Sequence, residues 1–108
     1  MNTKSVPDFI LEITNKIANS LSPESVILFG SYAYGKTTQN SDLDILVIMN
    51  TELNAASRNR LVSRLINPRP IPMDIIVKTP TEISILQKKV DPFINEVLNK
   101  GFVLYAKQ

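Results

Sequence analysis

Three aspartates lie in or beside apolar stretches of this sequence, where a carboxylate is costly unless its charge is compensated. Asp42 and Asp44 stand two residues apart at the start of the apolar run 43–49. Residues at i and i+2 of a strand face the same side, so these carboxylates repel each other unless a cation lies between them. Asp74 interrupts a second apolar run, 73–78. If the two strands are neighbours, the three carboxylates form a site for two divalent cations about 3.5–4 Å apart, the arrangement used in phosphoryl displacement.

Gly30-Ser31 supplies a complementary feature at the end of another apolar run, 25–30. A glycine allows the backbone to approach an anion closely. Ser31 is predicted to open a helical turn whose free N–H groups, together with its own hydroxyl, can hydrogen-bond a phosphate. An anion cradle beside a cation pocket is what a metal-bound triphosphate requires.

The residue types that are missing narrow the chemistry further. The chain has no cysteine and no histidine, which excludes disulfides, thiolate or imidazole zinc sites, and imidazole bases. Oxygen-only ligands favour Mg²⁺, with Mn²⁺ as the alternative. Twelve Lys plus Arg against ten Asp plus Glu give +2, a balance that does not by itself predict a nucleic-acid binder. No apolar run approaches the roughly 18 residues of a membrane span and no targeting segment is visible, so we expect no membrane contact and a cytoplasmic location.

The rest of the sequence indicates the elements that position these residues. A length of 108 residues suits a single domain, 1–108. Strands alternate with helices, which predicts an α+β (mixed α/β) fold with helices packed on a small mixed sheet. Start and stop signals and apolar periodicity predict five helices, at 7–20, at 31–34, at 52–66, from the Thr79-Pro80 capping box to about Lys89, and from Asp91-Pro92 to Lys100. Ser5 is the predicted cap of the first helix, and Pro7 lies in its first turn. Four strands are predicted at 25–30, 43–49, 73–78 and 102–105.

The order Gly30-Ser31, ten residues, Asp42-Leu43-Asp44, and then Asp74 in a later strand resembles the DNA polymerase beta-like nucleotidyltransferase superfamily. The small size is similar to its minimal nucleotidyltransferases, which are often paired with a HEPN-domain partner in toxin–antitoxin operons. The resemblance covers residues 25–78 directly, and the flanking helices fit the family's element order more loosely.

The resemblance implies roles for the matching residues. The two motif acids of the family, here Asp42 and Asp44, bind both of two metal ions. The third acid, here Asp74, binds one ion and takes the proton from the attacking hydroxyl. Gly30 and Ser31 correspond to the residues that hold the β- and γ-phosphates. The implied reaction moves a nucleoside monophosphate from a nucleoside triphosphate to an acceptor hydroxyl, with release of pyrophosphate.

One position departs from the family pattern. Minimal members commonly have a basic residue three positions after the serine, and this chain has Tyr34 there. Lys36 is the candidate replacement as a phosphate ligand. The departure motivates a second hypothesis, in which the chain is a silent transferase that neutralises a partner by binding alone.

The length of the chain bears on substrate and partner. About 30 residues follow Asp74, so recognition of base and acceptor must come from them, from a second copy of the chain or from a partner. We therefore expect ATP or another nucleoside triphosphate to be bound with weak base selectivity, and a protein rather than a nucleic acid to be the acceptor. The resemblance suggests a tyrosine of a HEPN-type toxin. A small-molecule acceptor of the aminoglycoside type ranks last, since the chain is short for enclosing one.

Two further groups of residues carry two interpretations each. Tyr32 and Tyr34 are packing residues or base-stacking platforms. The four arginines, all within twelve residues, are either the solvated face of the predicted helix 52–66 or a docking patch for an acidic partner or RNA. These arginines are Arg58, Arg60, Arg64 and Arg69.

Overall fold

The computed structural model describes residues 6–107, which form five helices and four strands. The elements alternate along the chain nearly as the sequence pattern predicts. In chain order they are α1 (Asp8–Leu21), β1 (Ser25–Phe29), α2 (Ser31–Tyr34), β2 (Leu43–Ile48), α3 (Ala55–Leu65), β3 (Met73–Lys78), α4 (Pro80–Lys88), α5 (Pro92–Lys100) and β4 (Phe102–Ala106).

The four strands form one mixed sheet in the order β3-β2-β1-β4. Strand β1 is antiparallel to both β2 and β4, whereas β2 and β3 run parallel. A parallel pair needs a long crossover, and α3 with its flanking loops provides it. The predicted mixed sheet with helices packed on it is thus confirmed.

Helices cover both faces of this sheet, which explains why β1 and β2 read as nearly continuous apolar runs. Helices α1 and α3 pack on one face with Leu43, Ile45 and Val47 of β2. Helices α4 and α5 pack on the other face with Leu46 and Ile48. Side chains alternate along a strand, so the second face is also the face of residue 44.

The boundaries differ from the predictions by one residue at most, except at the start of α3. That helix begins at Ala55 rather than 52, because the Asn54 side chain accepts a hydrogen bond from the Ser57 N–H (2.9 Å) and caps the first turn. Helix α4 has the predicted capping box, with Thr79 and Glu82 each bonding the other's backbone N–H. The predicted cap of α1, Ser5, lies outside the described residues, and the N-cap position of α1 is Pro7.

Two of the four arginines bond the edge of the sheet, which is a role that neither interpretation predicts. Strand β3 is an edge strand, so its outward-facing carbonyls have no strand to pair with. Arg69 donates to the Met73 carbonyl (3.1 Å), and Arg58 donates to the Val77 carbonyl (3.3 Å). The two guanidinium groups therefore cover both ends of an exposed sheet edge.

Arg58 also joins α3 to the start of α4. Its guanidinium donates to the Leu53 carbonyl (2.7 Å) and to a Glu82 carboxylate oxygen (2.7 Å). The backbone N–H of Thr79, and then Arg58, hold the pKa of Glu82 below its usual range. The unfolded chain therefore binds the proton more tightly, and the stability that Glu82 contributes at neutral pH is lost as the pH falls through that lowered pKa.

Replacing Arg58 by alanine is expected to destabilise the protein by about 2 kcal/mol, because the Val77 and Leu53 carbonyls lose a charged donor. The partner Glu82 is well exposed, so the lost ion pair itself adds little to this figure. Urea unfolding monitored by circular dichroism measures the difference.

The matched control is Arg60→Ala, since the one side-chain bond of Arg60 to residues 6–107 goes to the Ser57 hydroxyl (3.1 Å) on the surface of the same helix. That change should stay within about 0.5 kcal/mol of the wild type. Equal unfolding midpoints for the two variants would contradict the role given to Arg58.

No helix within residues 6–107 is both long enough and apolar enough to cross a bilayer.

Candidate active site

A sharp corner joins β1 to the short helix α2, and Gly30 forms it. Its backbone has φ +72° and ψ −155°, a combination that essentially only glycine adopts. The Gly30 carbonyl accepts the N–H groups of Ala33 (3.0 Å) and Tyr34 (3.2 Å), which closes the turn. Ser31 is the first residue of α2, and its N–H lies at the helix start, where no intrahelical acceptor exists.

Asp44 and Asp74 are direct neighbours across the parallel pair β2–β3. Parallel strands lie roughly 4.8 Å apart, and partners in register point to the same face. The condition set by the sequence, that the two acid-bearing strands pair side by side, is therefore met. On each strand the aspartate lies two residues before an apolar residue of the same face, which is Leu46 on β2 and Ile76 on β3.

The Asp44 carboxylate lies directly against the Gly30 corner. Asp44 pairs with Phe29 across the antiparallel β1–β2 ladder, so the residue after Phe29 is its close neighbour. A Cβ atom placed on Gly30 would overlap the Asp44 Oδ2 atom and lie 3.1 Å from its Cγ atom. The end of the sheet that carries Asp42, Asp44 and Asp74 is called the acidic edge. The structure thus brings the Gly30 corner into contact with the acidic edge, and only a glycine leaves room for the Asp44 carboxylate.

Asp42 precedes β2 and is exposed, while Asp44 is partly buried. The loop that leads to Asp42 is closed on itself: the Thr38 N–H donates to the Ser41 hydroxyl (2.7 Å), and the Ser41 N–H donates to the Thr38 carbonyl (3.2 Å). These bonds fix the approach of the chain to the acidic edge without occupying the carboxylates.

The charges of the three aspartates are uncompensated by protein groups. Burial, and then repulsion by Asp74 and Asp42, raises the pKa of the Asp44 carboxyl above its usual value. No hydrogen bond or ion pair from residues 6–107 reaches any of the three carboxylates. A cluster of this kind is stabilised by any cation that enters it.

The side chains are close without forming a finished ligand set. Within residues 6–107, no three acidic groups are arranged as ligands of one metal ion. The backbone places Asp44 and Asp74 side by side, so rotation of side chains, rather than movement of strands, would bring their oxygens onto one ion.

Lys36, the predicted phosphate ligand, forms no ion pair with the three aspartates within residues 6–107. It follows the left-handed Gly35, its side chain is exposed, and the one bond found for it within the described part of the chain runs from its backbone N–H to the Ser31 carbonyl (3.0 Å). Its role as a phosphate ligand stays a prediction.

The two tyrosines of α2 differ from each other. Tyr32 packs edge-to-face against Phe9 of α1 (ring centroids 6.0 Å apart, 84° between planes) and is a packing residue. Tyr34 is 41% exposed, so packing accounts for it poorly.

One member of the apolar stripe in α5, Phe93, is exposed. The other members of the stripe are Ile94, Val97 and Leu98. The structure buries Ile94 and Val97 but leaves Phe93 42% exposed, with its ring edge-to-face on Phe29 (5.4 Å, 82°). An exposed aromatic thus stands beside the cross-strand partner of Asp44, and no spacing signal in the sequence indicated it.

A cavity of about 350 Å³ lies elsewhere, between α1 and α3 on the other face of the sheet. Its walls contain one cation and no acid: Ser20, Leu21, Leu61, Arg64 and Leu65. A metal-bound triphosphate needs acidic ligands, so this cavity is a poorer site for a metal-bound triphosphate than the acidic edge is.

Comparison with known proteins agrees with this geometry. Residues 12–108 match the model of the family "Polymerase beta, Nucleotidyltransferase". The chain is 29% identical, over 94% of its own length and 96% of the relative, to a candidate protein adenylyltransferase of Methanocaldococcus jannaschii.

Two solved structures are similar in fold. A candidate nucleotidyltransferase from Sulfolobus solfataricus superposes with a TM-score of 0.64 at 26% identity, over 93% of this chain and 79% of that one. A toxin–antitoxin complex crystallised with AMP-PNP gives a TM-score of 0.65 at 24% identity, over 91% of this chain and 74% of that one. With the family model spanning nearly all of the sheet and its helices, the chain belongs to the polymerase beta-type nucleotidyltransferase family and is a nucleotidyltransferase.

Proposed function

We propose that this protein transfers a nucleoside monophosphate from ATP or another nucleoside triphosphate to a hydroxyl of a partner protein, with divalent cations as cofactor. The observation that carries the proposal is the contact between the Gly30 corner and Asp44, with Asp74 beside Asp44 in register and no cation from residues 6–107 on either acid. An anion cradle and a cation pocket thus share one edge of the sheet.

The residues of this edge divide the reaction between them. The Gly30-Ser31 corner holds the β- and γ-phosphates by backbone N–H groups and the Ser31 hydroxyl. The acceptor oxygen attacks the α-phosphorus, and its proton passes to a carboxylate oxygen of Asp74. The bond from the α-phosphorus to the bridging oxygen breaks, and pyrophosphate leaves with that oxygen. Exposure of Asp74 leaves it open to the incoming acceptor.

The donor set fits hard divalent cations. The groups present are carboxylates only, and burial, followed by repulsion from the neighbouring carboxylates, raises the pKa of Asp44. Asp42, Asp44 and Asp74 would hold the ions, with Mg²⁺ preferred and Mn²⁺ an acceptable substitute. When bound, the ions would supply charge neutralisation for the triphosphate and for the leaving pyrophosphate.

The comparisons support a protein as acceptor. The relative at 29% identity bears the name of a protein adenylyltransferase, and a fold neighbour belongs to a toxin–antitoxin pair crystallised with an ATP analogue. We therefore propose that the chain is the antitoxin of such a pair and that it adenylylates a tyrosine of a HEPN-type toxin.

Mass spectrometry of the partner protein tests the proposal. After incubation with this chain, ATP and Mg²⁺, the mass of the partner should rise by one adenylyl group, about 329 Da, for each transfer. Asp44→Asn and EDTA should each abolish this gain. A partner of unchanged mass, with a folded wild-type chain that binds ATP, would contradict the transfer.

A second candidate function is neutralisation by contact alone. The observation that favours it is Tyr34, an exposed and uncharged side chain where minimal family members carry a basic one. The two functions separate cleanly in a growth assay, because under the second one the Asp44→Asn chain still neutralises its partner.

A further inference from the structure

Phe93 is a large apolar side chain that the fold leaves exposed at the edge of the proposed site. It lies in the first turn of α5, whose start is rigidly built: Asp91 caps it by accepting the Ile94 N–H (2.9 Å), and Pro92 occupies the first position. The ring is therefore mounted on a fixed piece of backbone rather than on a loose loop.

The ring reaches the site through one intermediate side chain. Its centroid is 5.4 Å from that of Phe29, and Phe29 is the cross-strand partner of Asp44 and the residue before Gly30. Direct cross-strand partners have Cβ atoms roughly 5 Å apart on the same face. Phe93 thus stands on the face of the acids, one side chain away from the Asp44 carboxylate.

The contact with Phe29 uses the ring in an edge-to-face geometry, at 82° between planes, and 42% of the residue remains accessible. Edge-to-face packing holds a ring in place, and an accessible aromatic surface can stack on any nucleobase. The other strongly exposed apolar residues after β3 are aliphatic and offer no such surface: Ile85, Val90 and Val103.

From this placement we infer that Phe93 is the base platform of the site: its exposed ring stacks on the nucleobase of the triphosphate whose phosphates lie at Gly30-Ser31. The inference rests on the proposed function and deepens it. Stacking favours any flat base, so the platform provides affinity with little choice among ATP, GTP and CTP.

Titration calorimetry with Mg²⁺ and two ligands tests the platform. One ligand is ATP, and the other is inorganic tripolyphosphate, which carries the phosphates without a base. Phe93→Ala should raise the Kd for ATP about 10-fold to 100-fold and leave the Kd for tripolyphosphate within twofold. Phe93→Tyr should restore ATP binding, and Ile85→Ala, which trims an exposed side chain on α4, should change neither Kd.

Three results would overturn the inference. An unchanged Kd for ATP in Phe93→Ala excludes stacking, and an equal loss for ATP and tripolyphosphate assigns Phe93 a structural role. Unchanged ATP affinity with a raised KM for the partner protein places the ring under the acceptor instead. If the wild-type chain binds neither ATP nor tripolyphosphate, the proposed function fails as well. Binding of tripolyphosphate by the wild-type chain therefore distinguishes a failure of the platform from a failure of the proposed function.

Discussion

Asp44→Asn is expected to lower nucleotide transfer on the order of a thousand-fold, and to raise the thermal stability of the metal-free protein. The loss of transfer follows because the most central of the three carboxylates disappears, and a metal site contributes several kcal/mol to such a reaction. The gain in stability follows from the raised pKa of Asp44, which marks a charge that the folded state disfavours.

The raised pKa of Asp44 makes the stability of the metal-free protein depend on pH. The folded protein binds the Asp44 proton more tightly than the unfolded chain does, so stability falls as the pH rises from 3.8 to the raised pKa and stays reduced above it. An asparagine of nearly equal size removes this loss. At neutral pH without metal, the variant should therefore melt at a higher temperature than the wild type.

With saturating Mg²⁺ the wild type should melt at a higher temperature than Asp44→Asn, because binding of the ion stabilises only the wild-type site. Differential scanning calorimetry with and without Mg²⁺, beside a transfer assay, measures both effects. Asp8→Asn, an exposed acid in the first turn of α1, is the matched control and should keep both the Mg²⁺ response and the transfer. A wild-type melting temperature that ignores Mg²⁺ would contradict the acidic edge as a cation site.

Gly30→Ala is expected to abolish transfer and to destabilise the protein by about 2 kcal/mol. The backbone at Gly30 is one that alanine adopts only under strain, and the added methyl group would overlap the Asp44 carboxylate. The carboxylate must move away from the phosphate corner, so activity falls by more than the stability loss alone would explain.

Gly35→Ala separates these two effects. Gly35 also has a positive φ, +71°, but a Cβ atom there meets nothing within 4 Å. This variant should lose about 1 kcal/mol on chemical unfolding and keep its transfer rate at temperatures where it is folded. Equal activity in the two folded variants would show that the contact between Gly30 and Asp44 has no part in catalysis.

The acidic edge could be predicted because strand geometry is strict. A period of two fixes Asp42 and Asp44 on one side, and a carboxylate within the run 73–78 is conspicuous in an apolar strand. The pairing of β2 with β3 in a register that sets Asp44 beside Asp74 is a product of tertiary packing. The sequence could state that register only as a condition.

The features that escaped prediction depend on what an element packs against. Helical periodicity groups Phe93 with Ile94, but only the structure shows that the first turn of α5 reaches the end of β1. Composition groups the arginines, but the edge position of β3 decides that Arg58 and Arg69 bond its carbonyls. The predicted start of α3 at residue 52 is too early because the Asn54 side chain caps the helix, which begins at Ala55.

Asp42, Asp44 and Asp74 are expected to hold divalent cations beside the Gly30 corner. Anomalous diffraction from crystals soaked with Mn²⁺ and a non-hydrolysable ATP analogue tests this expectation most directly. We expect manganese peaks in direct contact with carboxylate oxygens of Asp44 and Asp74, with the triphosphate against Gly30-Ser31. Manganese bound elsewhere, or nucleotide seated without any ion on these aspartates, would contradict it.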